Sequence, residues 1–280
     1  MTLVCPGGPA DLLGCDPAGT GHLAVDGKCA RGSRTGTTPA AHLLSAVLAD
    51  GRTVSQLRVP DKITEVTGFT RLLAPFDLTG VVVTADALHT HRDHARWLVE
   101  EKKAHYLLVV KRNQPTLHDA LRSLPWKEVT ARRYERGSGH GRRETRSVRT
   151  LTVTDLGLDF PHVAQAAKIH RHRTDIKTGK ITRETVHTIT DLPAHAATPQ
   201  AIGQLTRSHW AIEAVHHVRD TTFGEDNPKI RTGHGPANMA TLRSFAISTL
   251  RAAGHRGIAA GLREISYAPF TRPLDLVGLP

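Results

Sequence analysis

Three features of this sequence predict an α/β fold with a mixed sheet. Short β-branched or apolar runs, among them His22–Asp26, Gly80–Asp86 and His105–Val110, alternate with stretches whose apolar residues fall at helical spacing. Two further strand-like runs joined by Asp50-Gly51 supply an antiparallel start. From about residue 126 to 195 the texture turns basic and Thr-rich, as expected of a β-rich insertion.

The elements follow in order. Residues 1–20 carry several Gly and Pro and no periodicity, and read as an irregular leader. His22–Asp26 reads as a buried strand ending in an acid, followed by a Gly-Lys turn. Ala41–Ala49 and Thr53–Val59 read as a hairpin about Asp50-Gly51. Ile63, Val66, Phe69 and Leu72 or Leu73 give a helix over 63–73. Gly80–Asp86 is too hydrophobic for an edge and reads as a central strand buried on both faces. A helix over about 91–101, a strand at His105–Val110 and a short helix at Thr116–Leu124 complete the βαβ continuation, making five core strands with flanking helices. Within the insertion, strands are expected at 145–154, 164–170 and 184–190. Thr198 or Pro199 then opens a helix to about Arg219, and Pro236 another to about Ala253. One domain over 21–264 follows, with a loosely packed tail at 265–280.

Of 280 residues, 37 are Lys or Arg and 26 Asp or Glu, a net charge of +11. The excess is local: residues 102–183 hold 19 basic and 7 acidic residues, and the rest of the chain is close to neutral. Such a block suits a phosphate-rich partner, although the Ala, Gly and Arg bias of the whole chain also contributes. No run is long enough to span a membrane, and no charged leader precedes an apolar stretch. Cys5, Cys15 and Cys29 are odd in number and without close pairing, which suits reduced thiols in the cytoplasm.

Three carboxylates stand at suggestive places. Asp26 and Asp86 close strands, and Glu213 lies on the 199–219 helix among Thr206, His209, Trp210, His216, His217 and Asp220. Ile202, Leu205, Ile212, Val215 and the stem of Arg219 form the adjoining apolar stripe. If these acids converge, they need cations, because like charges at close range cannot all stay ionised. Two Mg²⁺ ions about 3.5–4 Å apart meet that need and suit in-line phosphoryl displacement. Taken singly, an Asp before Gly is also a turn residue and a helical Glu also a solvated charge, so spacing alone leaves both readings open.

The words around these acids add to the case. Leu23-Ala-Val-Asp-Gly-Lys-Cys-Ala-Arg-Gly-Ser33, Val82-Val-Thr-Ala-Asp-Ala-Leu-His89 and Arg207-Ser-His-Trp-Ala-Ile-Glu213 resemble the catalytic motifs of DDE-class transposases of bacterial insertion sequences, the H-repeat-associated group above all. Lys111-Arg-Asn-Gln114, His140-Gly-Arg-Arg-Glu-Thr-Arg146, Asp220–Asp226 and Gly235-Pro-Ala-Asn238 fit the same group in the same order. The resemblance implies an RNase H-like fold with a β-strand insertion before the last catalytic helix. It implies metal-dependent cleavage and strand transfer, with Asp26, Asp86 and Glu213 holding two Mg²⁺ or Mn²⁺ ions. It also implies element ends and target DNA as partners, a homo-oligomer on DNA, and a bacterial cytoplasmic, nucleoid-associated location. Only 25 residues precede Asp26 where the family has several dozen more, so a truncated, inactive copy stays open, as does a non-enzymatic DNA-binding protein.

DNA contacts are expected from Lys111, Arg112, Asn113 and Gln114 beside the site, which also read as a polar loop capping a helix. Arg142, Arg143 and Arg146 are expected in a Gly-flanked basic turn, where Arg suits phosphate. Arg207 and Arg219 flank Glu213 and fit either phosphate contact or carboxylate pairing. His209, His216 and His217 lack structural-zinc spacing, Trp210 reads as packing, and Asp220, Glu225 and Asp226 lack the EF-hand pattern.

Overall fold

A computed structural model describes residues 15–59, 65–139 and 141–279. Most of the expected leader, the start of the helix expected from Ile63, and His140 lie outside the described residues. The chain forms two compact units, one built from the residues up to 77 and from 209 onward, the other from 78–208.

In the first unit, β1 (His22–Ala30), β2 (Ala41–Leu48) and β3 (Thr53–Val59) form an antiparallel meander. The hairpin expected at Asp50-Gly51 is present: Gly51 takes φ +86°, a left-handed conformation that favours glycine, and its N–H donates to Leu48 O at 2.9 Å. One expectation is overturned. β1 does not end at Asp26 in a Gly-Lys turn; it runs four residues further, because Gly27–Ala30 pair with Leu44–Ala41. Asp26 therefore sits within a strand.

Two layers cover this meander. α1 (Glu65–Leu73) buries Phe69, Leu72 and Leu73. A Cβ on its Gly68 would stand 3.3 Å from Val59 Cγ2 and 3.6 Å from Leu44 Cδ2, so the small residue sets how closely the helix approaches. The face carrying Ala24 and Val47 packs against Ile212 and Val215 of α4 (Pro199–Thr221), Ile247 and Leu250 of α5 (Gly235–Ala252) and Ile258 of α6 (Ile258–Ser266). The tail is more ordered than expected: α7 (Arg272–Leu276) lays Leu276 on this core, while Tyr267 and Phe270 remain exposed.

The second unit holds a six-stranded mixed sheet in the order β4-β5-β9-β8-β7-β6. β4 (Val82–Ala85) and β5 (His105–Val110) are parallel, joined through α2 (Arg92–Arg96) and a π-helical turn over Trp97–Glu101. α3 (Pro115–Ser123) follows. The insertion contributes four strands, β6 (Arg132–Gly139), β7 (Arg142–Thr152), β8 (Gln165–Asp175) and β9 (Ile181–Thr190). β6 was not expected, since it is exposed and lacks apolar alternation; its pairing with β7 makes it a strand. The insertion extends the core sheet, because β9 pairs with β5.

Candidate active site

In the first unit, α4 lies along β1 with matched spacing. Four helical residues rise about 6 Å and two strand residues about 6.8 Å, so side chains four apart on α4 meet side chains two apart on β1. Ile212 shares a core cluster with Ala24, His216 Nδ1 stands 3.5 Å from Asp26 Oδ2, and Asp220 accepts from Lys28 Nζ at 2.7 Å. Glu213 is exposed and stands one helical turn before His216, on the stretch of α4 that passes Asp26. Two of the three motif acids thus belong to this unit, on adjoining elements.

A polar row runs across the meander beneath them: Asp26 opposite Ser45, and Ser45 opposite Gln56. Gln56 Oε1 accepts from Arg219 Nη1 at 2.9 Å, and Gln56 Nε2 donates to Thr241 Oγ1 at 3.3 Å. Arg219 is fully buried and donates from Nε and Nη2 to both oxygens of Glu225, at 2.7–3.1 Å. Arg243 at 3.6 Å and Lys28 at 3.9 Å also face Glu225. Of the two roles open to Arg219, it makes the carboxylate pairing here. This network was not read from the sequence. Lys28 two residues after Asp26, and Asp220 and Glu225 after Glu213, were its only local signs.

The surroundings keep the nearby rings neutral. His216 is held down to about 3 by burial and then by the positive charges of Arg219 and Lys28, and His22 is held down to about 4 by burial and then by His209.

In the second unit, Asp86 follows β4 at the carboxyl end of the parallel pair, where open α/β sheets place their ligands. Its Oδ1 accepts from Ala87 N at 2.6 Å and from Lys111 Nζ, just past β5, at 2.8 Å. Asn113 Nδ2 donates to Ala87 O at 2.8 Å and Gln114 Nε2 to Thr90 O at 3.1 Å. Lys111, Asn113 and Gln114 therefore lace down the loop carrying Asp86; Gln114 makes no side-chain cap to α3, and Arg112 is exposed. Arg207 pairs with Glu135 at 2.6 Å, the carboxylate role among its two alternatives. The expected basic turn at 140–146 is mostly strand: Arg142, Arg143 and Arg146 lie on β7, and Arg146 donates to Glu144 at 2.6 Å.

The donor set suits a hard divalent cation. Asp26, Asp86 and Glu213 offer carboxylate oxygens, the ligands Mg²⁺ prefers, and Asp86 already engages the ammonium of Lys111. Within either unit, the described residues form no group of three His, Cys, Asp or Glu poised around one point. No helix among the described residues is long and apolar enough to cross a membrane.

Comparison with known proteins gives concordant matches. The family described as "Transposase DDE domain" matches residues 17–249. "Putative transposase YncI" of Escherichia coli O157:H7 is 29% identical over 245 residues, 82% of this chain and 61% of that protein. "H repeat-associated putative transposase YhhI" of Escherichia coli K12 is 28% identical over 256 residues, 86% of this chain and 66% of that protein. An uncharacterized protein from the dhlA 3′ region of Xanthobacter autotrophicus is 38% identical over 135 residues, 45% of each chain. The chain spans less than two thirds of the length of the first two relatives.

Proposed function

The chain belongs to the transposase DDE domain family, and from that premise we propose that it catalyses metal-dependent cleavage and strand transfer on the DNA of an insertion sequence. The observation that carries this reading is the approach of α4 to β1 through His216 and Asp26, one helical turn from Glu213. The position of Asp86 at the carboxyl end of the β4–β5 pair supports it.

Asp26, Asp86 and Glu213 would hold two Mg²⁺ or Mn²⁺ ions. Such ions favour deprotonation of an attacking water or 3′-hydroxyl and neutralise charge on the leaving oxygen. The chain's own residues set the stage. Lys111, Asn113 and Gln114 hold the Asp86 loop, the Lys28–Asp220 pair ties α4 to β1, and Arg219 ties α4 to Gln56 of β3 and to Glu225. Hydrolysis at the element's ends frees a 3′-hydroxyl, which then attacks a phosphodiester of target DNA and displaces its 3′ oxygen. The partners are the two DNAs and further copies of the chain.

The test is cleavage and joining of a labelled duplex carrying the element's ends, with Mg²⁺, with Mn²⁺ and with chelator, for the wild type and Glu213→Gln. Metal-dependent products lost in the variant are expected. Products that survive Glu213→Gln would overturn the site assignment, and DNA binding without any products would mark an inactive copy.

A further inference from the structure

The four strands of the insertion carry a strongly cationic surface, and their register sorts its charges by face. Paired residues in an antiparallel sheet share a face, and alternate residues along a strand share one too. One face carries Arg133 and Glu135, then Arg142, Glu144, Arg146 and Val148, then Arg171, Arg173 and Ile169, with Glu184 and Val186 on β9. All four acids of these strands, Glu135, Glu144, Asp175 and Glu184, fall on it.

That face is covered at its inner end and carries its own counter-charges, while Arg133 and Arg142 at its outer end are exposed. Val148, Ile169 and Val186 pack with Ile202 and Leu205 of α4, and a Cβ on Gly203 would stand 3.1 Å from Val148 Cγ2. Glu144 lies 2.6–3.6 Å from Arg146, Arg171 and Arg173, and Glu135 is taken by Arg207.

The opposite face carries Arg132, Arg136, Arg143, Arg149, Lys168 and Arg183, with Tyr134, His170 and His172 among them and no acid at any strand position. Among the described residues no ion pair joins these six cations to a carboxylate; Arg149 donates to Trp126 O at 2.6 Å instead, and Lys168 stands over the Trp126 ring. Arg132, Arg136, Arg143 and Arg183 are exposed, and Arg136 stacks on exposed Tyr134 at 5.3 Å. The potential is felt by its own members. Lys168 and His170 are lowered by burial and then by neighbouring cations, Arg149 among them, and His187 is held down to about 4 by burial and then by Lys168. Like charges gathered without acids are relieved by a polyanion.

We propose that this acid-free face of the insertion sheet is the surface on which the chain binds the phosphate backbone of duplex DNA. Arg132, Arg136, Arg143 and Arg183 make the contacts, and the arginines that share the other face with the four acids do not. This rests on the reading of the chain as a DNA-handling enzyme and specifies where the duplex lies. It also divides the arginines expected from the sequence: Arg143 contacts DNA, whereas Arg142 and Arg146 lie on the face that carries the acids.

Adjacent residues provide matched variants. Arg132→Gln with Arg143→Gln removes two charges from the acid-free face, and Arg133→Gln with Arg142→Gln removes two from the other. Binding of the full chain to a mixed-sequence duplex is measured against salt concentration without divalent metal, with circular dichroism confirming that both doubles are folded. The first double is expected to bind about tenfold or more weakly at low salt. It should also flatten the slope of log K against log salt by about 2, near 0.9 for each phosphate left without its arginine. The second should stay close to wild type, and Arg132→Lys with Arg143→Lys should keep the full slope. Equal losses in both doubles, or a loss confined to the second, overturn the face assignment and leave the DNA-handling reading standing. A wild-type chain with no salt-dependent binding overturns both.

Discussion

Replacing Glu225 by Gln removes one charge from the most deeply buried ionic cluster in the first unit. Its side chain is 1% exposed, and it receives three hydrogen bonds from Arg219, whose side chain is equally enclosed. Breaking such a pair from one side costs about 3–5 kcal/mol, because the remaining charge has neither partner nor water. Lys28 keeps Asp220 at 2.7 Å and Arg219 keeps Gln56 at 2.9 Å, so the loss belongs near the lower end, about 3 kcal/mol. Against a total of about 5–15 kcal/mol this is a large share. In urea, with slopes of about 1–3 kcal/mol per molar, the midpoint should fall by about 1–3 M. Trp210 on α4 can report the transition by fluorescence. Arg207→Gln is the control, since its pair with Glu135 is part-exposed and worth under about 1 kcal/mol. Replacing both partners with apolar residues, Arg219→Met with Glu225→Leu, should recover most of the loss. A Glu225→Gln midpoint no lower than that of the control would refute the reasoning.

Three further outcomes are expected. The folded-state values of His22 and His216, about 4 and about 3, lie below the ordinary 6.5, so the unfolded chain takes up protons first as pH falls. Their contribution is full above about pH 6.5 and is lost on acidification toward the folded values, at up to about 1.4 kcal/mol per pH unit each. Urea midpoints across that range should fall, less steeply in His22→Leu, and a flat profile would contradict the assignment. Gly32→Ala drives a methyl into the backbone oxygens of Pro228 and Asp226 and should cost about 1–3 kcal/mol, read as faster proteolysis of the 224–228 segment. Lys111→Ala should reduce strand cleavage through the freed Asp86 loop while stability changes by under about 1 kcal/mol, because its pair is exposed. An equal fall in stability and cleavage would argue against a positioning role.

Much of the fold was legible because its signals are local. Asp50-Gly51 specified the hairpin turn, the β-branched run before Asp86 specified a buried strand, and apolar spacing located α4. The motifs carrying Asp26, Asp86 and Glu213 pointed to the family. Other features depended on partners distant in the chain. Asp26-Gly27 has turn chemistry, yet hydrogen bonds to β2 carry the strand through it. β6 has no hydrophobic period and exists through its pairing with β7. The aliphatic stem of Arg219 suited a buried stripe, but only folding brought Glu225 and Gln56 to its guanidinium. The sorting of charges in the insertion lay furthest from the sequence's reach. Composition showed a basic block, but a register slip of one residue would have exchanged its faces, so strand pairing alone decided which arginines meet carboxylates and which face solvent together.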